Sequence, residues 1–400
     1  LDYIKKSKRP LLLLGGGVTR KAAKEFQTAI EKYNLPIACT WTGADRVTRE
    51  YENYAGRPNM YGMRWANIFQ QQSDLVIAVG TSLGYQQTGF NTDLFAPLAE
   101  IIHVDIDKNE LKKPNPRSRR LFNYDSSTFL EKLLETFKEI EPDLTEWSEF
   151  LKIVREKFGA LEKCQKSDNL FISPYEVMQQ ISNLTEEEDV IVSASSGGTF
   201  TATLQSFEIH GNQILLCNKG LASMGYGLAG AIGASKSKKT RTVLFEGDGG
   251  FAQNMQDLGT VVAQNLNIKI FITSNDGYAS IKTSQRNYFQ GHYLGCDSNT
   301  GLILPEWSEI FSSYNIPSLV LDKDFTSNTK FNQLWENRSP AAFIIKADPN
   351  QIYLPKISTK IGTDGVATSN PLHEMDPPLS KDVSDIVFRY MPIELIPSHW

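Results

Sequence analysis

"GDGGFAQNMQDLGTVVAQNLNIKIFITSNDGY", residues 247–278, is the stretch that decides the fold. The β-rich run ahead of it, "TVLFE", stops at the glycines, "NMQDLGTVVAQNL" has helical spacing, and "IKIFITSN" reads as a second buried strand. Together they predict one βαβ unit. A right-handed parallel crossover runs both strands the same way, so Asp248 and Asn275 are expected at carboxyl ends of strands, where open α/β sheets place their ligands. A carboxylate, an amide oxygen and a nearby backbone carbonyl form a hard oxygen set suited to Mg2+ holding a phosphorylated ligand. Gly247, Gly249 and Gly250 let backbone N–H groups approach that phosphate, and a helix expected from near Asn254 turns its positive end the same way.

The rest of the chain sets bounds. Four hundred residues suggest two or three domains. A net charge of -5 gives no basic excess to argue for nucleic acid. The one basic cluster, "KKPNPRSRR" at 112–120, is broken by prolines and reads as a solvated loop. Cys39, Cys164, Cys217 and Cys296 form no CxxC, which gives neither zinc spacing nor a disulfide framework and fits a reduced cytoplasm. No run reaches the roughly 18 apolar residues of a membrane span, and "LLLL" at 11–14 is a short buried strand. The first residue is Leu1, in a helix-like segment that leads straight into a strand, as in the middle of a longer protein.

Strands and helices alternate through the first part: "RPLLLLGGG", the helical "TRKAAKEFQTAIEKYN", "LPIACTW", "DLVIAVGTSLG" and "IIHVDID". The expected architecture is α/β, two doubly wound parallel-sheet domains in tandem. The first covers 1–135, a charged helical linker 136–170, the second domain 171–348 and a surface tail 349–400. A capping box of Ser173 and Glu176, with Pro174 at the first helical position, is expected to open the second domain. In the first domain Gly15, Gly16 and Gly17 invite a nicotinamide-dinucleotide reading, but the last glycine of a GxGxxG is missing and no acidic residue closes the second strand.

A GDG turn alone is equally a plain β-turn. Followed by an asparagine 27 residues after Asp248 (275 minus 248) and by Asp-Gly-Tyr, it resembles the thiamin-diphosphate motif of the acetolactate synthase and pyruvate decarboxylase family. "GRPNMYGMRWAN", "SDLVIAVGTSLGYQQTGFN" and "IIHVDID" resemble the central domain of the same family. The resemblance implies Mg2+ held by Asp248, Asn275 and the carbonyl of Gly277, and a diphosphate cradled by the GDGG turn and by Gly197 and Gly198 of "SASSGGTF". It implies that Met224 wedges under the cofactor, with the carbonyl of Ala222 and the N–H of Met224 on the aminopyrimidine edge. Ser284 matches a tryptophan that helps choose the second substrate, so the pocket is expected to be wider and more polar. His292 is a candidate acid–base group, though a lone loop histidine is more often surface or core. Acetolactate synthases bind FAD with an arginine-rich stretch after the "AVG" strand; here Thr81–Gln87 holds no arginine, which leaves FAD the less favoured expectation.

The activity implied is decarboxylation of a 2-oxo acid such as pyruvate and transfer of the acyl-anion equivalent to a second carbonyl compound. Ser284 and the tail "IGTDGVATSNPLHEMDPPL", which resembles acetolactate-synthase-like proteins of surface-polysaccharide synthesis, suggest a bulkier acceptor such as a keto sugar. The family's activating glutamate comes from a separate amino-terminal domain of a neighbouring subunit. That implies a homodimer or homotetramer and an inactive isolated fragment, and no catalytic residue is named within these 400. A non-ligating 2-oxo acid decarboxylase and a non-catalytic thiamin-diphosphate-binding paralogue are the alternatives.

Overall fold

The computed structural model describes residues 2–113, 119–167, 170–194, 196–361 and 367–397. The chain divides into two compact units, Leu1–Cys164 together with Leu354–Trp400, and Gln165–Tyr353. Each is built on an all-parallel sheet, as the alternating pattern predicts.

In the first unit β1 (Pro10–Leu14), β2 (Ile37–Cys39), β3 (Leu75–Val79), β4 (Glu100–Asp105) and β5 (Arg119–Asn123) lie in the order β2-β1-β3-β4-β5. The unbroken leucine run of β1 follows from helices on both faces. Leu11 and Leu13 enter one apolar layer and Leu12 and Leu14 the other, so no position is left for a polar side chain. Thr19 caps the helix Arg20–Ile30 by accepting from the Ala22 N–H, and Ala23, Phe26 and Ile30 line that helix's buried side.

Three expectations are corrected here. The basic cluster is not all loop, because Arg119 and Arg120 begin the edge strand β5; residues 114–118 lie outside the described set. The linker is no linker: the helix Thr145–Phe158 buries Trp147, Phe150, Leu151 and Val154 in the first unit's core, with the Trp147 ring stacked 4.0 Å from Phe69. The tail is not a surface tail either. Ile357, Leu372, Met375, Val387, Phe388 and Met391 complete the same core, and buried Arg64 donates to the carbonyls of Met375 (2.9 Å) and Pro377 (2.7 Å) while pairing with Glu162.

The second unit carries β6 (Val190–Ser193), β7 (Ile214–Leu216), β8 (Thr242–Gly247), β9 (Ile268–Ser274), β10 (Ser318–Val320) and β11 (Ala341–Lys346) in the order β10-β11-β9-β8-β6-β7. The expected capping box does not form. Ser173 Oγ donates to the Gln165 carbonyl, and the Glu176 carboxylate accepts from the Ser167 N–H, so both side chains tie down the preceding segment. No helix among the described residues is long and apolar enough to cross a membrane.

Candidate active site

Strands β8 and β9 are parallel neighbours with Gly247 opposite Thr273, so the residues that follow each strand leave the sheet side by side. Asp248 and Asn275 are both buried there, and the Asn275 N–H donates to Asp248 Oδ2 at 3.0 Å. The Gly249 N–H donates to Oδ1 at 2.7 Å. Burial pushes the Asp248 carboxyl up to about 6, against the pull of the Asn275, Gly249 and Gly277 amides. A carboxylate held this way is short of positive charge, and a cation would supply it.

Gly277 has φ 124°, and a Cβ on it would sit 2.2 Å from the Cys296 carbonyl oxygen. That carbonyl also accepts the Tyr278 N–H at 2.8 Å, and Lys282 pairs with Asp297 at 3.0 Å, so the segment around residue 297 braces the loop after β9. The helix expected from near Asn254 is broken: a single turn Asp248–Phe251, a 3-10 turn Met255–Asp257 and the short helix Leu258–Ala263 replace it. The glycines after β8 therefore lie inside the first turn, nearer the strand end than the helical spacing implies.

A cavity of about 550 Å³ opens at these strand ends. Gly197, Gly198, Ala222, Met224, Gly247, Asp248, Gly249, Gly250, Asn275 and Gly277, every cofactor or metal position read from the sequence, lie on its wall. Ala222 takes φ 52° and Gly197 φ 75°, left-handed backbone that bends both loops toward it. Met224 is 45% exposed, the mark of a side chain with space beside it rather than core filler. Ser195 of the "SASSGGTF" loop lies outside the described residues.

Ser284 does not reach the wall. It lies on the exposed side of the helix Ala279–Tyr288 with Oγ donating to the Ser280 carbonyl at 3.1 Å, and Ser280 and Ile281 line the cavity one turn earlier. His292 is exposed and does not line it. Glu246, Thr273, Tyr278 and Tyr353 line it without having been singled out. Glu246 carried a signal, an acid inside a buried strand run. Its carboxyl, raised to about 7 by burial, accepts from the Gly247 N–H at 3.0 Å and is wedged against Gly227 and Gly250, where a Cβ would fall 2.1 and 2.6 Å from its oxygens. A larger recess, about 720 Å³, opens at the amino ends of the same strands. Its four acids and four bases balance one another, with Arg241 already paired to Asp189, which makes it a poorer anion site.

Two family models match in tandem: the thiamine pyrophosphate enzyme central domain over residues 1–133, and the C-terminal TPP binding domain over 196–345. The chain belongs to the thiamine pyrophosphate enzyme family. The acetolactate synthase large subunit of Corynebacterium glutamicum is 31% identical over 77% of this chain and 49% of its own length. That of Cyanidium caldarium is 27% identical over 84% of this chain and 57% of its own. The isozyme 2 large subunit of Escherichia coli is 28% identical over 73% and 52% respectively. Within this thiamine pyrophosphate enzyme family, the chain is thus similar to acetolactate synthases and spans about half the length of the curated relatives it matches.

Proposed function

We propose that the chain is the cofactor-binding part of an acetolactate synthase-like carboligase that uses Mg2+ and thiamin diphosphate. The observation that carries this is the joining of Asp248 and Asn275 by a direct hydrogen bond on the wall of a cavity flanked by two glycine-rich loops. The residues present suit the group. Among the described residues no three His, Cys, Asp or Glu cluster as a self-sufficient metal cage, while one carboxylate, one amide and one carbonyl suit a cation that a diphosphate helps to coordinate. The Thr273 hydroxyl is buried on the same wall with no partner among the described residues, a donor left for a ligand.

When bound, thiamin diphosphate supplies a carbon nucleophile that adds to a 2-oxo acid and lets CO2 leave. Asp248, Asn275 and the Gly277 carbonyl would hold Mg2+; the amides at the start of the helix Gly197–Ser206 and of the GDGG turn would face the phosphates. Ala222 and Met224 would take the aminopyrimidine edge. Met224, Tyr278 and Ile281 give one side of the cavity an apolar surface that limits water near the reacting carbon. The activity is proposed for a homodimer or homotetramer in which a separate domain supplies the activating glutamate.

Flavin is left out of this reading. Each glycine after β1 faces its own chain: a Cβ would meet Gly80 O at 2.1 Å from Gly15, Thr42 Oγ1 at 3.1 Å from Gly16 and Gly80 at 3.0 Å from Gly17. The deciding experiment is product analysis with pyruvate alone and with pyruvate plus a keto sugar. A 2-hydroxy ketone supports the carboligase; aldehyde alone means plain decarboxylation, and no CO2 release from the assembled enzyme refutes the activity.

A further inference from the structure

The peptide that joins Gly277 to Tyr278 carries both the carbonyl assigned above to the metal and an N–H. That N–H donates to the Cys296 carbonyl at 2.8 Å. In a planar trans peptide the two groups point in opposite directions, so whatever holds the N–H also aims the C=O. The Gly277 carbonyl is therefore turned away from Cys296. The Ala279 N–H donates to it at 3.2 Å, which uses one of its two lone pairs and leaves the other for a cation. The contact also requires a glycine: at φ 124° a Cβ on residue 277 would fall 2.2 Å from the same Cys296 oxygen.

Cys296 lies in a loop, and a loop aims nothing unless it is itself fixed. The Thr300 hydroxyl fixes it. Oγ1 accepts the N–H groups of Cys296 and Asp297, each at 3.0 Å, and donates to Asp297 Oδ1 at 2.9 Å. Asp297 in return caps the turn Ser298–Thr300, and its Oδ2 pairs at 3.0 Å with Lys282 on the helix that follows Tyr278. The clasp thus closes on the segment it serves. Asp297 is buried and Lys282 and Thr300 are half-buried, so the ties are sheltered from competing water.

We propose that Thr300 is a positioning residue of the metal site: through Asp297 and the Cys296 carbonyl it sets the Gly277–Tyr278 peptide so that the Gly277 oxygen faces Mg2+. This rests on the thiamin-diphosphate reading above. Thr300→Val keeps the shape and removes the hydroxyl. In the full-length protein, titrated by calorimetry, it is expected to raise the Mg2+ concentration for half-saturation at fixed thiamin diphosphate about tenfold, and Thr300→Ser to restore the parent value. Thiamin diphosphate affinity at saturating Mg2+ is expected to stay as in the parent, since the glycine loops are untouched. Lys282→Met, which frees Asp297 and leaves the turn intact, is expected to shift the Mg2+ requirement the same way by about threefold. An unchanged Mg2+ requirement in Thr300→Val, or in Lys282→Met where the first variant does not fold, overturns the proposal. So does an equal fall in both affinities, which is what a general loosening of the loop would give. If the parent itself shows no Mg2+-dependent binding, the functional reading falls and takes this proposal with it.

Discussion

In the first unit the turns after β1 and β3 meet where the strand order reverses; in the second, the turns after β6 and β8 meet at the equivalent reversal. Doubly wound sheets bind ligands at this position, and both pairs of turns are rich in glycine. The first is shut. Gly15 and Gly17 pack on Gly80, and Arg46 donates to the carbonyls of Val18 (2.5 Å) and Gly16 (3.2 Å). The second is open in part: a Cβ on Gly247 would meet only the Thr199 hydroxyl at 3.3 Å and one on Gly197 only the Ser280 hydroxyl at 3.8 Å, while Gly198, Gly249 and Gly250 pack on Tyr353, Tyr278 and Glu246. At the first switch point all three glycines after the strand are used up by the chain's own packing, whereas at the second some of them face unfilled space.

The sharpest way to break this comparison is Asp248→Ala, which removes the one carboxylate from the proposed metal set. Calorimetric titration with thiamin diphosphate and Mg2+ is expected to show affinity lower by more than about a hundredfold. Binding that survives would mean the open cavity serves something else. Next comes Gly15→Ala, which should destabilise the first unit by roughly 2–3 kcal/mol through overpacking against Gly80. Denaturant unfolding measures it; a neutral outcome would show that the shut switch point has room after all.

A third experiment uses charge. The folded carboxyls of Asp248 and Glu246 sit at about 6 and about 7, above their unfolded values. Each therefore favours folding fully only when protonated, below about pH 4, and that contribution is lost as pH rises through 6 to 7. At pH 8 Asp248→Asn is expected to stabilise the cofactor-free protein by on the order of 1–2 kcal/mol, while the gain vanishes near pH 4. Equal unfolding curves for parent and variant at both pH values would contradict the burial cost. Smallest of all is Ser284→Ala, expected to leave cofactor affinity and product distribution within about twofold, as for an exposed residue away from special contacts. A clear change in acceptor preference would return Ser284 to the pocket.

The βαβ core was legible because glycines bound its strands and because β8 and β9 are mostly apolar runs buried on both faces, so Asp248 and Asn275 could be placed from 27 residues of spacing. The broken helix between them was not, since Met255, Gln256 and Asp257 fit a helical period yet form a 3-10 turn. Tyr353 was invisible for a different reason: Gly198, against which its ring packs, is distant in the chain, and nothing local marks a tyrosine after a strand as its neighbour. Leu372, Met375 and Val387 share that fate, as irregularly spaced apolar residues whose core lies hundreds of residues away. Ser284 was placed by ungapped likeness, which fixes a position along a helix without fixing which side of it faces the cavity.

The first unit is completed by the last segment of the chain, residues 354–400, after the whole of the second has been made. If each unit folds as it is completed, the order of maturation on the ribosome is reversed from the order of synthesis. The later unit can close as soon as Tyr353 has emerged, while the earlier one waits with the apolar layer that will receive Ile357 and Met375 uncovered. A nascent chain from which Tyr353 has just emerged would hold a complete second unit while the first still lacks residues 354–400 of its core.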